Sequence, residues 1–542
     1  MARLTLPATA WRWGAFAAAL FILNASLTFH NVWPTPVITW RGEVSVELAV
    51  CLVAMAIARR LAGPASNSTL RWLAAAWVLL VLGRYAEVTA PALYGREVNL
   101  YWDSRHVSAV VQMLFRVASI WLIASVVAAV VLVPLGIYAL MRWALGRVSQ
   151  AMSQPRTRNL LGVVASVVVL LFAGQRLDQR VPAVPSMTSP VTEIYWHQAR
   201  LFAGELTGRN ARKLGSGPTF DSDLARVRGA DVLLFFIESY GAVSYERPEF
   251  AGPLAPSRAR LEADIRAAGR EVVSAYVESP TFGGNSWLAH VSLLSGVEVR
   301  DEDTNIQLMA QKRDSLVTAF AKHGYRTMAI MPGLQQQWPE GQFYGFDEIY
   351  DEARLDYRGP PFGWWTVPDQ FTIARLDALE LTRQPRAPAF VFFPTISTHT
   401  PFSPTAPYQP DWARVLTDDP YAQADLERAW GEVPDWLDLG PSYVHALSYA
   451  YESLGGYLRL RRDRDFVMIL IGDHQPPAAV SGEGAAWDVP VHIVTSRKPV
   501  IDALLAQGFR TGLTPGRPAI SRMHALVPVL LKAFGDRSAT AD

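Results

Sequence analysis

Apolar runs long enough to cross a bilayer crowd the first third of the chain, and no other feature restricts its fold as strongly. A spanning helix needs ~20 mostly apolar residues, because hydrocarbon offers the backbone no hydrogen-bond partner. Five stretches approach that length: residues 13–33, 46–62, 73–92, 118–141 and 160–173. Trp11, Trp13, Trp33, Trp40, Trp72 and Trp143 fall at their ends, where interfacial aromatic side chains collect. No small-residue cleavage site follows a compact apolar core in the first run, so a removable signal peptide is the poorer reading. The expectation is an N-terminal five-helix transmembrane domain over residues 1–174.

Arginines set the expected orientation. Arg3 and Arg12 precede the first run, Arg59, Arg60 and Arg71 separate the second from the third, and Arg142, Arg147, Arg156 and Arg158 separate the fourth from the fifth. Arg41, Arg96, Arg105 and Arg116 lie in the opposite connections, which are sparser for their length. Positive charge stays inside, so the N-terminus is expected to be cytoplasmic and everything beyond the fifth run exported. The single cysteine, Cys51, lies in an apolar run, which excludes a disulfide framework in the exported part. A net charge of +1 over 542 residues lacks the basic field of a nucleic-acid binder. Residues 83–106 turn polar and aromatic where the third run should leave the bilayer. Arg84 and Glu87, three apart on a helix, read either as a snorkelling pair or as part of a lipid headgroup site.

Residues 175–228, rich in Pro, Arg, Ser and Gly, are expected to form a tether with helical pieces. From Gly229 the pattern changes to short apolar runs, DVLLFFIE, EVVSAYVE, YRTMAIM, AFVFFPTIS, FVMILIGDH and VPVHIVTS, alternating with helical stretches. Strands apolar throughout, separated by helices, predict a mostly parallel sheet covered on both faces. Residues 229–542 are thus expected to be an exported α/β domain. Glu238 directly follows the first of these runs, Asp473 and His474 follow the fifth, and His399 follows the fourth by three residues. Ligands of open α/β sheets bind beyond the carboxyl ends of strands, so three strands deliver these groups to one edge. Glu, Asp and His together make a divalent-metal set with room for an open position, although each alone is an ordinary strand-end cap. Gly283-Gly284-Asn285-Ser286 leads into helical spacing through Trp287, Leu288, Val291 and Leu294. That places Ser286 at a helix N-terminus, where amides favour a phosphate; a plain Ser or Asn cap is the alternative. A serine hydroxyl needs a base or a metal to become a nucleophile.

FFIESYG, GGNSWLAHVSLLSG, STHTPF and ILIGDHQPP, in this order after five apolar runs, resemble the sulfatase-like branch of the alkaline phosphatase superfamily. The nearest likeness is to membrane-anchored lipoteichoic acid synthases and phosphoglycerol transferases; phosphoethanolamine transferases share the plan. The resemblance implies that Glu238, Asp473 and His474 ligate one divalent ion, Mn²⁺ or Zn²⁺ with Mg²⁺ admissible, and that Ser286 is both nucleophile and ligand. It implies that His399 meets the transferred phosphoryl group and that Trp338 contacts substrate. Asn285 and Tyr240 are added as candidate substrate-binding residues from their places beside Ser286 and Glu238, with packing the alternative for Tyr240. The implied reaction moves a phospholipid headgroup, phosphoglycerol first, through a phosphoserine to an envelope glycan or lipid at a bacterial inner membrane, with the catalytic domain periplasmic. Ser286 stands where the family has threonine. Met331 or Pro332 and Glu340 replace the histidine and arginine that hold glycerol phosphate. The chain lacks the outer-domain cysteines and Ser-Asp-His-Gly motif of phosphoethanolamine transferases, which rank second. NSWLAH lacks the Pro and Arg of the formylglycine motif, so an ester hydrolase ranks third. An inactive envelope assembly partner is disfavoured because all four site residue types are kept.

His290, His445, Glu452 and His492 sit in apolar-spaced segments and read as structural. Trp364, Trp365, Trp430 and Trp436 read as packing, with a lipid or glycan rim the alternative. Thr281 precedes the glycine turn and is expected to be a bystander.

Overall fold

Each of the five apolar runs is carried, over most of its described residues, by a helix in a computed structural model of the chain. The helices are α1 (Ala8–Thr28), α2 (Val46–Leu61), α3 (Asn67–Tyr94), α4 (Ile120–Ala151) and α5 (Pro155–Leu177). The structure describes residues 8–95, 98–101, 103–104, 107–108, 111, 115, 120–177, 186–207, 214, 217–335, 338, 340–363 and 366–536. Arg3, Arg96, Arg105, His106, Arg116, Ala118, Trp364 and Trp365 lie outside the described residues. Contacts divide the chain into two units, Met1–Leu93 with Glu97–Arg209 and Tyr94–Arg96 with Asn210–Asp542. The expected tether contributes the helix α6 (Val191–Thr207) to the first.

Among the described residues, three helices, α3, α4 and α5, are long and apolar enough to cross a membrane. At 16 residues α2 reaches only ~24 Å, short of the hydrocarbon thickness. Arg12 and Asn24 dilute α1, which ends before the expected limit of its run. Pro34 and Pro36 have no N–H to donate to a helix, and the chain instead pairs β1 (Phe29–Asn31) with β2 (Ile38–Trp40). Within this unit α1 packs on α4 and α2 on α5, around Leu23, Leu52, Trp77 and Leu145. Two of its buried side chains bond within the unit. Arg84 donates to the Phe29 carbonyl at 2.9 Å and to Glu87 Oε2 at 2.7 Å, and Trp77 Nε1 donates to Ser26 Oγ at 3.0 Å.

In the second unit all six expected apolar runs are strands: β3 (Asp231–Ile237), β4 (Glu271–Glu278), β5 (Arg326–Ile330), β7 (Ala389–Pro394), β8 (Phe466–Gly472) and β9 (Asp488–Thr495). Three short strands, β6 (Glu348–Tyr350), β10 (Arg510–Thr511) and β11 (Ser521–Arg522), add to the edges. The order is β10-β4-β9-β8-β3-β7-β5-β6, with β11 beside β4. β8, β3, β7, β5 and β6 are mutually parallel, but β9 runs antiparallel to both β8 and β4, so the sheet is mixed. The reason lies in residues 473–487, which hold site residues and one helical turn rather than a crossover helix, and return the chain against β8.

Successive β3 side chains enter opposite cores, as the two-residue period of a strand requires. Leu233, Phe235 and Ile237 meet α7 (Pro248–Ala267) and the long helix Gly440–Leu460. Val232, Leu234 and Phe236 meet α8 (Ser286–Ser295) and the C-terminal helix Leu526–Phe534. The register sets Ile237 beside Gly472 and Phe236 beside Pro394, so Glu238, Asp473 and Thr395 leave the sheet at one level. At the opposite end Arg386 grips the buried Asp231 carboxylate with two bonds, 2.6 and 2.5 Å.

Candidate active site

Strand continuity ends where the functional groups begin. Ser239, one residue after Glu238, has φ +56°, which turns the chain sharply out of β3. Gly472, the last residue of β8, lies against the Tyr240 carbonyl; a Cβ there would come within 1.9 Å of that oxygen. Only glycine lets the two strand ends approach this closely. The third element is the turn before α8, where Gly283, Gly284 and Asn285 all have positive φ (65°, 147° and 58°).

These elements bring Ser286 Oγ to 2.7 Å from Glu238 Oε2, to which it donates, and to 3.2 Å from His474 Nε2. His474 Nε2 lies 3.3 Å from Glu238 Oε1. Ligand atoms of Glu238, Asp473 and His474 all lie within 4.8 Å of one another, and all three residues are buried. His474 Nδ1–H donates to the Gln475 carbonyl at 2.7 Å, which fixes the tautomer and turns Nε2 toward the carboxylates. Metal-binding histidines are held in this way, and two carboxylates with one imidazole suit a hard to borderline divalent ion. The residues present therefore fit such an ion.

Burial and mutual charge set the ionisation of the cluster. Burial would raise the Glu238 pKa, but the charge and hydrogen bond of His474 and the charge of His399 outweigh it and hold the carboxyl well below its usual range. Burial and the repulsion of Glu238 push Asp473 well above that range. Burial works against a charged His474, yet Asp473 and Glu238 prevail and raise its pKa to about 9.

His399 lies on the loop after β7, where its charge reaches Glu238, and its Nδ1–H donates to the Thr400 carbonyl at 2.7 Å. Asn285 occupies the cap position of α8 but makes no side-chain cap. A side-chain cap needs extended backbone, and Asn285 is left-handed, so the plain-cap reading of this turn is corrected. Thr281 donates to the Gly284 carbonyl at 2.7 Å and so belongs to the turn. Tyr240 is placed in the core rather than at the site surface. Its hydroxyl meets Tyr245 at 2.5 Å, His492 Nε2 at 2.9 Å and Tyr451 at 3.0 Å, so packing and not substrate contact is what the structure shows for it. Trp338 packs against Tyr344 and Phe346, with ring centroids 5.8 and 6.3 Å away. His290 wedges between Phe236 and Phe392, its pKa lowered by burial to about 3. His445 bonds Glu432 at 2.8 Å at the surface; Trp430 and Trp436 are exposed.

Sequence reading missed the residues that hold the ligands. Thr395 Oγ1 accepts the Glu238 amide at 3.0 Å, and Thr398 donates to the Glu238 carbonyl at 2.6 Å. The Asp369 carboxylate accepts the amides of Ile396 and Ser397 at 2.9 and 3.0 Å, which shapes the loop bearing His399. Ser239 touches both carboxylate ligands. Only Thr398 and Ser239 carried any signal, as neighbours of His399 and Glu238 in the quoted motifs.

Residues 288–491, a span that includes His399, Asp473 and His474, match the sulfatase family model. No curated protein matches the sequence. Similar solved structures include the lipoteichoic acid synthase LtaP from Listeria monocytogenes, 14% identical over 62% of this chain and 79% of that one, with a TM-score of 0.40. The integral membrane lipooligosaccharide phosphoethanolamine transferase A from Neisseria meningitidis is 12% identical over 90% of this chain and 87% of that one, with a TM-score of 0.47. The phosphoglycerol transferase GacH from Streptococcus pyogenes is 10% identical over 58% and 78%, with a TM-score of 0.36. The match covers strands β5, β6, β7 and β8 and two of the three cluster residues, Asp473 and His474, so the second unit carries a sulfatase-like region.

Proposed function

We propose that this protein transfers a phospholipid headgroup phosphoryl group, phosphoglycerol first, through a phosphoserine on Ser286 to a hydroxyl of an envelope glycan or lipid. The observation that carries the reading is the Ser286 hydroxyl, set at the head of α8 within 2.7 Å of Glu238 and 3.2 Å of His474. A divalent ion held by Glu238, Asp473 and His474 would supply positive charge for the phosphate and lower the hydroxyl pKa. Ser286 Oγ attacks the headgroup phosphorus from a helix end whose first amides have no side-chain cap to compete for them. The Oγ–P bond forms as the P–O bond to diacylglycerol breaks. The serine proton is released to solvent, and the departing diacylglycerol oxygen takes up a proton from solvent. His399 meets the transferred group. An acceptor hydroxyl then attacks the phosphoserine, and its proton restores Ser286.

The same reading places all five apolar helices across a bacterial inner membrane, with the N-terminus cytoplasmic and the catalytic unit periplasmic. The arginine distribution supports that orientation.

Incubating purified protein with phospholipid and Mn²⁺ or Zn²⁺, followed by mass spectrometry, tests the chemistry. An adduct on Ser286 is expected, its mass naming the headgroup. Ser286→Ala should lower headgroup release by ~10³-fold or more while the protein stays folded. Full residual release in that variant would remove the proposal.

A further inference from the structure

Ser239, which is not itself a candidate ligand, bonds both carboxylates of the cluster. It is buried and held at φ +56°, a conformation that costs a non-glycine residue roughly 1 kcal/mol. Its amide donates to Asp473 Oδ1 at 2.8 Å, and its hydroxyl donates to Glu238 Oε1 at 3.1 Å. Its carbonyl accepts the hydroxyl of the buried Tyr443 at 3.1 Å. The left-handed turn is what makes this possible. An extended residue after β3 would continue the strand direction, whereas Ser239 turns its amide toward β8 and keeps its hydroxyl beside Glu238. Glu238 Oε1 is the oxygen that does not accept from Ser286, so the Ser239 bond leaves Oε2 for the nucleophile.

Two carboxylates this close repel one another, and the register that brings their strand ends to one level does not fix which way each side chain turns. We infer that Ser239 is a positioning residue that presets Glu238 and Asp473 for a divalent ion, with Tyr443 bracing its strained backbone. The inference rests on the proposed metal site and goes beyond it, because it assigns the preorganisation to a residue that is not itself a ligand. Groups of this kind typically contribute 10- to 100-fold in metal affinity.

The test is Mn²⁺ and Zn²⁺ titration of the detergent-solubilised full chain by calorimetry, with the melting temperature of the metal-free protein measured in parallel. Ser239→Gly keeps both backbone bonds, is at ease with positive φ and removes only the hydroxyl. It should weaken metal binding ~10-fold or more while the metal-free protein melts close to wild type. Tyr443→Phe removes the brace and should weaken binding by a smaller factor. Wild-type affinity in Ser239→Gly would overturn the inference, and so would a lowered metal-free melting temperature with unchanged affinity, which marks a structural residue. Failure of the wild-type protein to bind either ion would instead overturn the metal-site reading itself.

Discussion

The two units treat apolar side chains in opposite ways. In the helical unit α4 turns Trp121, Val130 and Leu132 outward, at 80, 69 and 64% exposure. In the α/β unit Leu233, Phe235 and Phe393 are wholly buried, and ionisable groups gather in a buried cluster at one end of the sheet. The difference teaches what each surface is built to meet. A side chain facing lipid gains nothing by being packed against protein, since hydrocarbon tails are as apolar as leucine. A side chain inside the sheet has lost water, and its stabilisation depends on the fit of its neighbours.

The sharpest test of that contrast pairs two truncations. Phe393→Ala removes a ring packed edge-to-face on Phe235, 5.0 Å between centroids, and should cost about 3–5 kcal/mol in unfolding free energy. Leu132→Ala on α4 should change stability in lipid or detergent by less than ~1 kcal/mol. An equal loss at Leu132 would mean that this face of α4 packs on protein, and the contrast would break. A somewhat smaller effect is expected at the floor of the sheet. Arg386→Ala leaves the buried Asp231 carboxylate with the Ala389 amide but without its cation, and should cost about 3 kcal/mol by denaturant unfolding.

A further test is a slope in pH. Burial lowers the His492 pKa from 6.5 to about 3, with Arg258 adding to it. The neutral ring donates from Nδ1 to Ser274 at 2.6 Å and accepts from Tyr240 at Nε2. The unfolded chain binds the proton more tightly than the folded one. The contribution of His492 is therefore complete above about 6.5 and drains away as pH falls toward 3. His492→Gln should flatten the stability profile across that window by up to ~1.4 kcal/mol per pH unit. An unchanged slope would show that this histidine does not titrate on unfolding.

Much of the α/β unit was legible along the chain because its signals are local. Runs such as VLLFFI are apolar at every position, which a sheet covered on both faces accommodates, and all six runs became strands. Glu238, Asp473, His474 and Ser286 each stand immediately after a strand or at a helix start, so pattern alone put them at one edge. The antiparallel course of β9 was not legible, because it depends on whether residues 473–487 cross the sheet or turn back. Tyr240 follows Glu238 by two residues yet points into the core, since the left-handed turn at Ser239 reverses what strand alternation would suggest. Asn285 carried a familiar capping signal that its backbone conformation cancels.

The sequence by itself determined the periodicities, the apolar runs and the chemical inventory of the site, because each is a property of neighbours along the chain. Only the tertiary structure decided which oxygen faces which nitrogen. Glu238 meets Thr395, Thr398 and Asp473 across more than 150 residues, and such partners are chosen by the register of β3 between β7 and β8. Register is a cooperative outcome of packing both faces of the sheet, and no short stretch of sequence encodes it.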